Sequence, residues 1–211
     1  MRLFHQSWIV SAVRIALLAA LIGALIEAQW SVAFVALATL TLSTVPELVG
    51  RRLGVHLPVS MIAVISLFLF ATLFLGEVLD FYNRYWWWDV ALHGGSALGF
   101  GLMGVVFALF LFEGDRYAAP PWALSLIAFS FAVTIGAVWE IFEFAMDQIF
   151  GLNMQKSGLI DTMWDLIVDV IGAGTGAIIG FFYFIGRDLG GPTAFFREFA
   201  RLNRKLFSRF R

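Results

Sequence analysis

The chain of 211 residues contains no cysteine. Disulfide staples, thiolate zinc sites, cysteine nucleophiles and iron–sulfur clusters are thereby excluded. Charge is also scarce: Asp, Glu, Lys and Arg make up 14% of the chain, against about 25% in a soluble domain. The formal net charge is −1, so there is no bulk attraction to a polyanion and nucleic acid is not expected as a partner. The G-x-S-x-G elbow and the H-E-x-x-H zinc motif are both missing. What the chain has in excess is apolar surface. Hydrophobic residues account for 61% of it, and the mean hydropathy is +0.87. Neither a soluble globular domain nor a disordered tail has that composition.

A helix needs about 20 apolar residues to cross a hydrocarbon core of about 30 Å. Six runs qualify: Trp8–Ala28, Ser31–Val49, Leu57–Gly76, Asp89–Phe112, Trp122–Phe150 and Asp161–Ile185. Arg14 interrupts the first, which has the look of a signal peptide. Without a small-x-small cleavage site, a retained helix is the better expectation. The expected fold is therefore an all-α integral membrane protein, a bundle of six transmembrane helices over residues 1–186. A basic amphipathic cytoplasmic tail follows over residues 187–211.

With six spans the loops alternate sides. One side receives Arg2, Arg14, Arg51, Arg52, Arg116, Arg187, Arg197, Arg201, Arg204, Lys205, Arg209 and Arg211, twelve of the fourteen basic residues. The other side holds only Arg84 and Lys156. The positive-inside rule then puts both termini in the cytoplasm of a bacterial inner-membrane protein. In the tail, Phe195, Phe196, Phe199, Leu202, Leu206 and Phe210 recur at spacings suited to one helix face, with arginines between them. The pattern predicts an interfacial helix on the inner leaflet that anchors the last span; docking of a soluble partner is the alternative.

Acids inside spans cost roughly 2.5–3.5 kcal/mol each at the centre, so they mark candidate sites. The last three helices carry them in clusters: Asp89 with His93; Glu140, Glu143 and Asp147; Asp161, Asp165 and Asp169. At about 100° per residue these sets span about 40°, 60° and 80°, so each forms one stripe. At about 1.5 Å per residue, His93 stands about 30 Å above Glu113. Glu140 and Glu143 stand about 27 and 32 Å above Trp122, and Asp169 and Asp165 about 27 and 33 Å above Arg187. The three helices converge on one level near the outer edge of the hydrocarbon, so the site is expected to face the extracytoplasmic side. Glycines allow the approach: Gly94, Gly95, Gly99, Gly101 and Gly104 in the fourth helix, Gly172, Gly174, Gly176 and Gly180 in the sixth. Such a stripe is also the pattern of a homodimer contact.

Several ionised acids at one level repel strongly at low dielectric unless protons or cations neutralise them. Carboxylates with an imidazole suit a hard or borderline divalent ion: magnesium, manganese, calcium, zinc or iron. The candidate ligands are Asp89, His93, Glu140, Glu143, Asp147, Asp161, Asp165 and Asp169, with His93, Glu140, Glu143 and Asp165 the candidate catalytic groups. Blander readings stand beside this one. Asp89 and Asp161 fit helix N-caps, and His93 fits a hydrogen-bonded core histidine. Glu27 could join the site or pair with Arg84, and Glu47 could pair with Arg51 and Arg52. His5 and His56 fall on the cytoplasmic side. Tyr82, Tyr85 and Trp86 to Trp88, beside Glu77 and Asp80, read as an aromatic belt, with a headgroup cleft as the alternative.

The run Trp88-Asp89-x-x-x-His93, then Trp139-Glu140-x-x-Glu143, then Asp161-Thr162-x-x-Asp165-x-x-x-Asp169-x-x-Gly172-Ala173 resembles the uncharacterised bacterial inner-membrane family typified by YjdF. More loosely, the order of D-x-x-x-H, an acid, and further acids before glycines is similar to VanZ-like membrane proteins. The resemblance covers about residues 60–185. It implies an integral membrane protein of several helices with a polar site, and it supplies no reaction.

Three functions fit these residues. The first is a metal-dependent hydrolase or transferase acting on a lipid or lipid-linked phosphate, with a carboxylate or His93 as general base. The second is a cation- or proton-coupled transporter. The third is a non-catalytic envelope assembly factor. The acids sit at one level and do not span the bilayer, which favours the enzyme.

Overall fold

Long apolar runs with sparse helix breakers form helices, because only helices and closed barrels satisfy the backbone in lipid. The computed structural model describes residues 7–112 and 119–204, apart from the side chain of residue 192. Arg2, His5, Glu113, Arg116, Lys205, Leu206, Arg209, Phe210 and Arg211 lie outside the described residues. Among the described residues there is no strand. The helices are α1 (Trp8–Ile26), α2 (Trp30–Leu42), α3 (Val45–Leu53), α4 (Val59–Leu69), α5 (Phe81–Arg84), α6 (Trp88–Leu111), α7 (Pro121–Phe150), α8 (Leu159–Phe184) and α9 (Gly191–Leu202). A π-helical stretch, Phe70–Val78, continues α4. Among the described residues six stretches have the length and apolarity to cross a membrane: Trp8–Ile26, Trp30–Leu53, Val59–Val78, Trp88–Leu111, Pro121–Phe150 and Leu159–Phe184. They coincide with the six runs read from the sequence, to within a few residues at their ends.

The second of these stretches is two helices. Pro46 lacks an N–H for the carbonyl of Leu42, and the first helix ends there while the second begins at Val45. Nearby hydroxyls are spent on their own helix: Thr39 Oγ1 donates to the Val35 carbonyl at 2.7 Å and Ser43 Oγ to that of Leu40 at 2.7 Å.

The chain divides into two compact units. One is Met1–Trp88 with Glu198–Asn203; the other is Asp89–Arg197 with Arg204–Arg211. In the first unit, Arg14 of α1 donates to the Ser43 carbonyl at 2.7 Å and to Glu47 Oε1 at 3.2 Å. Glu47 therefore pairs with Arg14, not with Arg51 and Arg52 as its position suggested. Those two arginines are exposed. A half-buried guanidinium on a membrane-length helix gains more from a carboxylate than two arginines that water already solvates. Glu27 is exposed and accepts from Gln29 Nε2 at 2.7 Å. The aromatics expected to form a belt pack on one another, with Phe81 4.9 Å from Trp88 and Tyr85 5.9 Å from Trp87 between ring centroids. Asn203 closes a two-way amide bond with the backbone of His56: Nδ2 donates to the His56 carbonyl at 2.8 Å, and the His56 N–H donates to Oδ1 at 2.7 Å.

In the second unit, burial follows small residues, as expected where lipid is as apolar as leucine. The buried stripe of α8 runs Asp165, Asp169, Gly172, Ala173, Gly176, Ala177, Gly180, Phe184. That of α6 includes His93, Ala97, Gly101, Gly104, Val105 and Ala108. The two backbones touch: a Cβ on Gly172 would lie 2.6 Å from the Gly94 carbonyl oxygen, and one on Gly176 would lie 2.8 Å from the Gly101 Cα. A Cβ on Gly104 would lie 2.6 Å from the Ala128 carbonyl oxygen, which brings α7 equally close to α6.

The expected amphipathic tail helix is α9. Phe196 is buried, with its ring 5.0 Å from that of Tyr183, and Phe199 is buried as well. At its N-terminus, Asp188 Oδ1 accepts from Arg197 Nη1 at 2.9 Å, from Thr193 Oγ1 at 2.8 Å and from the Gly190 N–H at 2.8 Å. These bonds, that from Arg197 first, hold its carboxyl below the usual range, at about 2.

Candidate metal centre

The three acid-bearing stripes meet in the second unit. His93, on α6, is the hinge of the arrangement. Its Nδ1 lies 3.4 Å from Asp169 Oδ1 on α8. With Asp169 as acceptor a ring proton sits on Nδ1, and Nε2 faces the other acids. Nε2 stands 4.0 Å from Asp89 Oδ1 and 4.0 Å from Glu140 Oε1. Those separations are too long for hydrogen bonds. They match the roughly 3–4 Å between two ligands that each bind one ion at about 2.1 Å.

Among the described residues two groups of side chains each bring three ligand atoms within 4.8 Å of one another. One is His93, Glu140 and Asp165; the other is Asp89, Asp161 and Asp165. Asp165 belongs to both. The first group is deeply buried, with Glu140 4% and Asp165 3% exposed. Asp89 and Asp161 are half-buried. Among the described residues no well-formed hydrogen bond reaches either oxygen of Glu140, beside which only the Thr162 hydroxyl stands, or Asp169 Oδ2. An unsatisfied buried polar group costs about 1–3 kcal/mol, more when charged, and a proton or a cation at these atoms would lower that cost.

Local sequence explains the positions. Asp89 lies in the first turn of α6 and Asp161 in the first turn of α8, where the helix dipole favours acids. Asp161 Oδ2 also accepts the backbone N–H of Lys156, in the loop before α8, at 3.1 Å while facing Asp89 and Asp165; the N-cap position itself is Gly158, so Asp161 is not the helix N-cap its position suggested. Asp147 is used differently: its carboxylate accepts the N–H groups of Met154 at 2.7 Å and Gln155 at 2.9 Å, and thereby closes the α7–α8 loop. Glu143 is half-buried and accepts from Trp139 Nε1 at 2.9 Å. Of the eight expected ligands, five make up the two groups, Asp169 stands behind His93, and Glu143 and Asp147 lie outside both groups.

One residue of the centre escaped the sequence reading. A Cβ on Gly136 would collide with Asp169 Oδ2 and lie 2.9 Å from its Cγ. Gly136 thus makes room for the carboxylate that orients His93. The signal was available: Leu124, Ala128, Ala132, Gly136 and Glu140 recur every four residues on α7, and the glycine sits one turn from the acid.

No solved structure matches the chain. An uncharacterized protein of Thermotoga maritima is 34% identical over 118 residues, which make up 56% of this chain and 60% of that relative. The chain thus spans less than two thirds of the length of the curated relative it matches. A family model described as "Predicted membrane protein (DUF2238)" matches residues 9–186, and the chain belongs to that membrane-protein family.

Proposed function

We propose that this protein is a multi-pass enzyme of the bacterial inner membrane, a divalent-metal-dependent hydrolase or transferase acting on a lipid or lipid-linked phosphate. Both termini are cytoplasmic and the metal centre faces the extracytoplasmic side; the distribution of arginines and the depth of the acids support that orientation. The likeness to the YjdF type, and more distantly to VanZ-like proteins, fits such a protein and adds no chemistry.

One observation carries the reading. Asp169 turns the Nε2 of His93 toward Glu140, whose two buried oxygens receive no well-formed hydrogen bond, with only the Thr162 hydroxyl nearby. A histidine fixed by an outer carboxylate and aimed at bare carboxylates is the second-shell arrangement of metal sites. A bound divalent ion supplies Lewis acidity and lowers the pKa of a bound water. His93, Glu140 and Asp165 would hold it. Glu143, one turn from Glu140 and outside both ligand groups, is the carboxylate left to move protons, with Trp139 holding it in place.

Transport is the second reading, because intramembrane acids serve ion pathways. The burial pattern supports the enzyme over it. Beyond Asp169 the buried residues of α8 are Gly, Ala and Phe, and beyond His93 those of α6 are Ala, Gly, Val and Leu. No buried acid or hydroxyl continues the stripe inward among the described residues of either helix.

The test is elemental mass spectrometry of the full chain in detergent, beside phosphate release from lipid phosphates and lipid-linked pyrophosphates. Expected are bound metal and chelator-sensitive release, both lost in a folded Asp165→Asn variant. Absence of metal after incubation with manganese, zinc, magnesium and calcium would overturn the enzyme and direct work to transport. Tightly bound metal without turnover would leave a structural centre in an assembly factor.

A further inference from the structure

A threonine hydroxyl inside a helix commonly spends its proton on its own backbone. Thr39, Thr41, Thr72, Thr134 and Thr175 each donate Oγ1 to the carbonyl four residues back. Thr162, near the start of α8, does otherwise. The Gly158 carbonyl, four residues back, receives its backbone N–H at 3.2 Å and not its hydroxyl. Oγ1 instead accepts from Gln155 Nε2 at 2.6 Å. A hydroxyl has one proton and two lone pairs, so this bond fills a lone pair and leaves the proton to be given elsewhere. Glu140 stands beside it.

The helix and the loop before it set this up. Thr162, Asp165 and Asp169 recur at i, i+3 and i+7, within about 60° of one another, so Thr162 extends the buried stripe of α8 toward the loop. On that stripe an oxygen of Asp165 already lies within 4.8 Å of one of Glu140. Gln155 is fixed in its turn, because Asp147 accepts its backbone N–H at 2.9 Å and that of Met154 at 2.7 Å. Glu140, 4% exposed, has no access to water that would replace a lost partner.

We propose that Thr162 is the positioning residue of Glu140, its hydroxyl given to one carboxylate oxygen while the other is left for an ion, and that Gln155 sets the direction of that hydroxyl. This rests on the metal reading above and adds to it the outer partner of a second ligand. The group of His93, Glu140 and Asp165 is then held from two sides: Asp169 fixes the imidazole, and the Gln155–Thr162 pair fixes Glu140. Outer partners of this kind orient the ligands, and losing one typically lowers metal affinity about 10–100-fold. The α7–α8 loop thereby becomes part of the centre, although neither Asp147 nor Gln155 is a ligand of this group.

The experiment titrates the full chain in detergent with zinc and with manganese, each in competition with a fluorescent chelator, and follows thermal unfolding of the metal-free protein beside it. Thr162→Val keeps the shape and removes the hydroxyl; it should bind metal about 10–100-fold more weakly. Thr162→Ser returns the hydroxyl and should restore the wild-type affinity. Gln155→Leu should weaken binding too, yet add nothing in a Thr162→Val background, because both act through one hydroxyl. Should Thr162→Val fail to fold, Gln155→Leu, placed in the loop, reads the same effect. Wild-type affinity in Thr162→Val, whatever its unfolding temperature, would overturn the positioning role, and so would a serine as weak as the valine. Additive losses in the double variant would overturn the part given to Gln155. A wild type that binds none of manganese, zinc, magnesium and calcium would instead bring down the metal reading beneath it.

Discussion

Gly136→Ala tests the geometry of the centre without touching a ligand. The new methyl would lie 2.9 Å from Asp169 Cγ and 3.2 Å from its Cβ, and would overlap Oδ2 outright. An unstrained carbon–carbon contact is about 3.5 Å, so the carboxyl carbon must retreat by about 0.6 Å. Asp169 Oδ1 already stands 3.4 Å from His93 Nδ1. A retreat of that size carries it to about 4 Å, beyond any useful hydrogen bond. His93 then loses the group that fixes its ring. Loss of such a partner typically lowers metal affinity about 10–100-fold, which is about 1.4–2.7 kcal/mol. The overpacking itself costs about 1–3 kcal/mol of fold stability. The assay is a competition titration against a fluorescent chelator, with thermal unfolding in the same detergent. Gly174→Ala is the control, since its Cβ would meet only Phe129 Cε2 at 3.9 Å. If Gly136→Ala binds metal and unfolds like the control, the link from Gly136 through Asp169 to His93 is wrong.

Trp139→Phe removes the 2.9 Å bond to Glu143 and leaves both ligand groups intact; turnover should fall while metal content stays at the wild-type value, and an unchanged rate would remove Glu143 from proton transfer. Asn203→Ala removes both bonds to the His56 backbone. The loss is about 1 kcal/mol, because an exposed His56 can turn to water, and amide exchange at His56 should quicken about fivefold. Asp188 makes a pH prediction. Its carboxyl is held down to about 2 from 3.8, so its capping of α9 is fully present above 3.8 and is lost as pH falls through about 2. Amide exchange at Leu189 and Gly190 should therefore stay slow at pH 4 and rise only in stronger acid; a rise already at pH 4 would show an unassisted carboxylate.

The spans were legible because the bilayer imposes one length on every crossing, and Arg14 did not hide the first. The meeting of the acid stripes was legible for a related reason. Acids on a membrane helix must face protein, and three stripes at one height have only each other to face. What escaped depends on finer matters. Angle along a helix says which residues share a face, not which rotamer they take. Glu143 and Asp147 lie on the stripe of Glu140 yet turn to an indole and to two loop N–H groups. Glu47 was read with its sequence neighbours, whereas its partner, Arg14, comes from another helix. The π-helical widening of Phe70–Val78 leaves no mark in a run so uniformly apolar, since wide and ordinary turns bury the same residues.

The seam between α6 and α8 has a consequence for anything held at its head. Below the carboxylates the seam is backbone on backbone, Gly94 against Gly172 and Gly101 against Gly176, and then Val105 against Gly180. A water molecule needs about 10–15 Å³ and several polar partners, and a seam this tight and apolar supplies neither. Along it there is no back door. His93, Glu140 and Asp165 are therefore sealed along that seam from the far ends of α6 and α8.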